Sequence, residues 1–358
     1  MTTPELLDFN DAITQCIKAP HALLGNGFSV ACRPTLFNYS RLLDQANLTD
    51  RPKAREAFDR LGTTDFEIVM NGLSRAAELA EVYGTSDSSL AGRLREDAEA
   101  LKEVLVQTIA GTHPDLPKAI TDDECAAAKR FLSNFRGRRD SQKIYLLNYD
   151  LLTYWALMRS DVKPQLQFDD GFRQPEDGPE DWVVWESNRH SQDLFYLHGG
   201  LHIYQSGPEI RKFTWCNTGL PLMDQIQAAL DENRFPLYVA EGTWQDKMTR
   251  IRRSDFLGRG RRSFRQIGGS LFIYGMSLSD NDDHILRAIA SGKVEQFFVS
   301  VYGGIETDSN RQLSERALAL VERRQNIGGR NPKPLDVRFF DAESANVWTA
   351  DPLEEKQS

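Results

Sequence analysis

The sequence predicts an α/β protein: a mainly parallel sheet in a three-layer arrangement, interrupted by a large all-helical insertion. Three observations carry that expectation. Short apolar runs alternate with amphipathic segments over most of the chain, the pattern of strands joined by crossover helices. Four such runs, at 21–24, 143–147, 193–197 and 270–274, end abruptly in glycine or polar residues. Between the first two, residues 51–135 show helical periodicity almost throughout.

The 358 residues suffice for one elaborated domain or two ordinary ones, and 40% hydrophobic with 27% charged residues is ordinary globular composition. A net charge of −9 argues against bulk affinity for nucleic acid or anionic membranes, though a local basic patch could override it. No apolar run approaches the roughly 20 residues of a membrane span. The N-terminus has neither a basic n-region nor an apolar h-region, so a cytoplasmic location is expected. Cys16, Cys32, Cys125 and Cys216 are scattered without a C-x-x-C pair, which speaks against a zinc ribbon or a disulfide framework.

Taken in order, residues 4–18 read as an amphipathic helix, and 21–29 as a strand, a glycine turn and a helix start. Helical periodicity resumes at 36–48. In the insertion, 64–83, 89–109 and 122–135 read as helices, the last capped by Thr121. After the 143–147 strand and its helix, residues 162–191 form a polar excursion with one strand-like piece, 182–185. The run 193–197 is a strand, and 201–204 with 210–216 a small hairpin. Then follow a helix at 221–233, a short strand at 235–240, and a strongly basic helix at 243–266. Strand 270–274, a helix ending at 291, strand 297–302, helix 309–325 and strand 337–340 complete the fold before an acidic tail beyond about 350.

The turns carry the chemistry. In Gly25-Asn26-Gly27-Phe28-Ser29 the glycines allow a tight turn and close backbone approach, and N–H groups at a helix start suit a pyrophosphate. A plain β–α turn explains them equally, because the third glycine of a dinucleotide fingerprint is replaced by Val30. Asn148 and Asp150 are either ligand-facing groups at a strand end or caps of the next helix. His198, before two glycines, is placed like a reactive imidazole, but a core histidine bonded to a carbonyl fits too. Residues 275–283 combine Gly275, Ser277, Ser279, Asp280, Asp282 and Asp283; turn plus cap is the plainer reading, and no recognised metal-ligand spacing is present. The run Lys247, Arg250, Arg252, Arg253, Arg259, Arg261, Arg262, Arg265 is either a solvated face or a site for a polyanion or partner.

The order and spacing of the four turns resemble the sirtuin superfamily. Gly25-Asn-Gly-Phe-Ser29 is similar to its NAD-binding glycine turn, and Asn148-Tyr-Asp150 to its Asn-x-Asp element. Leu197-His198-Gly199 resembles its catalytic His-Gly, and Gly275-Met-Ser277-Leu278 its phosphate turn. The four-cysteine zinc module of protein deacylases has no counterpart after His198, and the later Asn-x-Glu element is not evident. The chain thus looks more like bacterial sirtuin-like proteins that hydrolyse NAD, several of them in antiphage defence.

That resemblance implies a Rossmann-like NAD-binding domain (1–50 and 136–350), with the helical insertion at 51–135 and a tail at 351–358. It implies an NAD glycohydrolase releasing nicotinamide and ADP-ribose, with no metal. His198 would be the general base, Asn148 would position ribose and water, and Asp150 would orient the carboxamide or support developing positive charge. Gly25, Asn26, Gly27, Phe28, Ser29, Gly275 and Ser277 would form the cofactor-binding turns, with Asp280 as a ribose contact and Phe37 and Tyr39 walling the nicotinamide. A homo-oligomer and a trigger or protein partner are further implications. The alternatives are a catalytically idle NAD or ADP-ribose sensor, and a nucleic-acid- or partner-binding module using the basic 247–265 face.

Overall fold

The structure, a computed structural model, describes residues 5–37, 39–83, 89–136, 142–175, 182–187, 191–232, 234–240, 243–327 and 333–349, without the side chains of 39–41, 216 and 217. The expected acidic tail and the side chain of Tyr39 lie outside the described residues.

The strands are β1 (Leu6–Leu7), β2 (His21–Leu24), β3 (Ile144–Leu146), β4 (Phe172–Arg173), β5 (Trp182–Trp185), β6 (Leu194–Tyr196), β7 (Ile203–Ser206), β8 (Glu209–Phe213), β9 (Gly268–Tyr274), β10 (Lys293–Val301) and β11 (Asp336–Asp341). Seven of them form one sheet in the order β1-β11-β10-β9-β2-β3-β6, and every pairing in it is parallel. The expected α/β architecture is therefore present. The chain runs from β2 outward through β3 to β6, re-enters on the other side of β2 at β9, and continues to β10 and β11. The order thus reverses between β2 and β9, the switch point at which open α/β sheets form their ligand crevice.

Both sheet faces are covered, so the strands are apolar on both sides. Along β2, Ala22 and Leu24 join one core and Leu23 the other, the period-two alternation of a strand. The first core is aromatic: Phe9, Phe28 and Phe131 from helices and Phe135 from the turn after Ser133 pack on Phe272 and Tyr274 of β9. On the opposite face Phe264, Ile289 and Leu313 close over Leu23, Tyr145 and Phe195.

Between β2 and β3 the described residues contain no strand. The helices Pro52–Leu61, Phe66–Tyr83 and Ser89–Thr112 pack on one another through Phe58, Phe66, Met70, Leu101 and Leu105. The helix Asp122–Ser133 returns the chain to the sheet, opened by a complete capping box between Thr121 and Glu124.

Several local expectations change. Leu6 and Leu7 are not helical: they pair with Phe339 and Phe340 and cover the edge of β11, so the helix is only Phe9–Thr14. The excursion at 162–191 contributes β4 and β5, which join the β7–β8 hairpin in an antiparallel sheet β4-β5-β8-β7. Residues 235–240 make only an isolated bridge, Gly199 with Tyr238. The basic segment is two helices, Trp244–Arg253 and Asp255–Gln266, because Ser254 turns extended and caps the second. No helix among the described residues is long and apolar enough to cross a membrane.

Candidate functional site

Strands β9, β2, β3 and β6 are neighbours, so their four carboxyl ends lie side by side. Above them opens a crevice of about 290 Å³, lined by Gly25, Asn26, Gly27, Asn148, Asp150, His198, Gly275 and Ser277 among others. It is also lined by Phe37 and Leu42 and, from the helical excursion, by Asp65, Glu67, Leu105 and Ile109. All four turns singled out in the sequence thus meet at one cavity.

The two glycine turns touch each other. Gly25 N–H donates to Tyr274 O and Gly27 N–H to Gly275 O, at 2.9 and 2.8 Å. A Cβ on Gly27 would lie 2.5 Å from the Gly275 Cα, and Gly275 has φ +70°. Glycine is required there by backbone against backbone. The Phe28 N–H donates to Gly25 O, so the Gly27 and Phe28 amides are already committed. The Phe28 ring points away from the crevice, packed against Trp348 and Tyr274. Its expected cofactor contact is therefore replaced by a core role, because the third residue of this short helix faces the sheet.

Ser29 is also withdrawn from the crevice. Fully buried, its Oγ accepts from Asn148 Nδ2 and donates to Asp150 Oδ2, both at 2.5 Å. Asp150 Oδ1 accepts from Leu152 N–H at 2.9 Å. Both carboxylate oxygens are thus engaged, and the helix-cap reading of Asp150 holds alongside its place in the cavity wall. The relay fixes the Asn148 amide with its nitrogen toward Ser29, and Asn148 Oδ1 is left buried without a protein partner. A buried carbonyl in that condition needs a donor from a ligand or water.

His113, from the end of the helix Ser89–Thr112, braces this wall. Its Nδ1–H donates to Pro114 O at 2.8 Å, and its Nε2 accepts from Leu151 N–H at 3.0 Å. Burial lowers its proton affinity against the pull of Asp150, which agrees with that neutral tautomer.

On the β6 side, His198 Nε2 lies 2.9 Å from His284 Nε2, with the rings stacked. Beside them the buried Lys247 ammonium bonds Glu67 at 2.7 Å and Asp282 at 3.0 Å. Burial and the Lys247 charge hold His198 well below the usual imidazole range, with Asp282 opposing, so it is neutral. His284 is lowered to about 4, mainly by burial. Burial pushes Asp282 up, but Lys247 and the two histidines outweigh it and hold the carboxyl low. Glu67 is raised, by burial first and by Asp282 and Asp65 next, against the attraction of Lys247. Asp65 is raised as well, by burial.

Ser277 lines the crevice, but the exposed Asp280 does not; two residues on, Asp282 takes the inward position, because the turn Asp280–Asp282 winds as a 3-10 helix. His198, Asp282 and His284 hold ligand atoms within 4.8 Å of one another and are the set among the described residues able to hold a metal ion. Lys247 already supplies a cation to Asp282. Lys247, Glu67, His284 and His113 were not singled out for the site. The one sequence signal was Lys247 itself, which shares the apolar face of its helix with Met248 and Ile251.

Fold and site together define a parallel α/β protein with a crevice of mixed polar and apolar lining at its switch point, closed on one side by an inserted helical unit. The chain belongs to the family described as a domain of unknown function, DUF4917, whose model matches residues 22–348. No curated protein matches the sequence.

Proposed function

We propose that the protein is an NAD glycohydrolase that cleaves the nicotinamide–ribose bond, giving nicotinamide and ADP-ribose. The observation that carries the reading is Asn148: a fixed, buried amide whose Oδ1 lacks a partner, in the same crevice as His198. The four motif turns that resemble sirtuins bordering one cavity is the further support. The leaving group departs from a cationic ring and needs no protonation, so the protein must orient the ribose, stabilise positive charge and supply water. Asn148 Oδ1 would accept from a ribose hydroxyl or the attacking water. Neutral His198 can accept a proton, and its low proton affinity makes it an acceptor and orienting group first, a modest base second. Asp150, with both oxygens engaged, acts through Ser29 on the Asn148 amide.

The test is incubation of purified protein with NAD and chromatography of the products, for the wild type, Asn148→Ala and His198→Ala. Nicotinamide release by the wild type that falls at least tenfold in both variants is the expected result. Undiminished release in both would refute these roles. A catalytically idle NAD- or ADP-ribose-binding module is favoured by one observation, the engagement of His198 Nε2 by His284 Nε2 at 2.9 Å, which occupies that ring nitrogen. Calorimetry showing ADP-ribose binding without any NAD turnover would decide for it.

A further inference from the structure

The helices Trp244–Arg253 and Asp255–Gln266 present an arginine surface that the site does not use. Lys247 turns inward to Glu67 and Asp282, but Arg250, Arg252, Arg253, Arg262 and Arg265 are exposed. Several arginines elsewhere are paired with carboxylates, Arg33 with Glu124, Arg51 with Asp97, Arg173 with Asp169 and Arg323 with Asp283. None of those five exposed arginines has such a partner among the described residues, in a chain with 52 acidic against 43 basic residues. Half-buried Arg261 lies among them with its Nε buried and without an acceptor. Burial lowers its proton affinity, and the positive charges of Arg265 and Arg252 act in the same direction.

We propose that this surface binds the phosphate backbone of a polynucleotide. Guanidinium groups suit phosphate because they donate bidentately and remain charged at any physiological pH. The composition of the face selects this occupant over a protein. A protein interface is built around apolar and aromatic anchors, and none of the exposed large hydrophobic residues lies between 244 and 266. The exposed remainder is Gln245, Asp246, Thr249, Asp255 and Gln266. Overall charge does not prevent binding, because at physiological salt fields are screened beyond about 8 Å and the local cluster decides.

The experiment is fluorescence anisotropy of the full chain with a labelled 20-nucleotide duplex across salt concentrations. About five neutralised phosphates predict a log–log salt slope near −4, an affinity loss of about 100- to 500-fold from 50 to 200 mM salt. Arg252→Gln/Arg265→Gln, at exposed positions, should weaken binding about tenfold and flatten the slope by about 2. Adding Arg261→Gln should weaken it further, with far-UV dichroism reporting that the fold persists. His198→Ala should bind like the wild type, so failure of the NAD reading leaves this one standing. The proposal is overturned by no binding at 50 mM salt, by an unchanged slope in the double variant, or by a polyglutamate peptide binding as tightly as the duplex.

Discussion

Replacing Lys247 by methionine tests how the helical excursion is joined to the sheet. Lys247 is 1% exposed and is the cation between Glu67, on the helix Phe66–Tyr83, and Asp282, on the turn after β9. Methionine keeps the stem's packing and removes the charge, leaving two buried carboxylates facing each other. Breaking a buried ion pair from one side costs about 3–5 kcal/mol, since the uncompensated charge remains. The sign of the pH dependence follows from linkage. Without Lys247 both carboxyls bind protons more tightly in the folded than in the unfolded chain, so the folded state carries more protons and stability falls as pH rises. The loss should thus be largest near pH 8 and clearly smaller near pH 5.5, where Glu67, already raised with Lys247 present, is protonated. Urea denaturation at both values reads it, and Lys247→Met/Glu67→Gln/Asp282→Asn should recover most of the stability. A loss below about 1 kcal/mol at pH 8, or one no smaller at pH 5.5, would refute the reasoning.

Gly27→Ala places a Cβ 2.5 Å from the Gly275 Cα, backbone that cannot rotate aside, so a loss of about 1–3 kcal/mol is expected in urea denaturation; an unchanged midpoint contradicts the clamp. His284→Ala removes the partner of His198 Nε2 and one of the charges that oppose its protonation, so the His198 resonance should shift and titrate at higher pH than in the wild type, followed by NMR; a His198 spectrum and titration identical to the wild type's rejects the pairing. Acid should destabilise the protein below pH 6.5, because His21 and His284, lowered to about 4, and His113, His198 and His202, lowered too, bind protons in the unfolded chain before the folded one. His21 and His284 each lose about 2 kcal/mol between pH 7.5 and 5. Glu67, Asp193 and Asp65, all raised in the fold by burial, work in the opposite direction but are three groups against five. Denaturation midpoints that rise on acidification would contradict this.

What the sequence disclosed depended on whether the cause was local. Strand runs, the Thr121 capping box and the long helices of the excursion are set by neighbours a few residues apart, and the structure contains them. The four turns were legible because an apolar run must stop where the strand meets the crevice. Phe28 and Lys247 were misread for a common reason: the direction of a side chain on a helix is decided by distant partners, whereas Asp280 faces out because its turn winds as a 3-10 helix. Phe28 is claimed by Trp348, and Lys247 by Glu67, 180 residues away. Leu6 and Leu7 fit a helical stripe, but an open β11 edge offers backbone partners that a helix end does not.

The glycine turns stand out in sequence for one reason and serve in the structure for another. Resemblance implies that Gly25, Gly27 and Gly275 clear space for a phosphate. In the fold they clear space for each other, and Gly27 N–H is committed to Gly275 O. That contact locks β2 to β9 across the point where strand order reverses. The polar side chains at the crevice are held from behind: Asn148 by Ser29 and Asp150, His198 by His284, Asp282 by Lys247. The helical excursion enters the same machinery through Glu67 on Lys247 and His113 under Leu151. Displacing its helices would remove a counter-charge from Lys247 and a brace from the Asn148 wall together, so the excursion and the crevice form one structural unit.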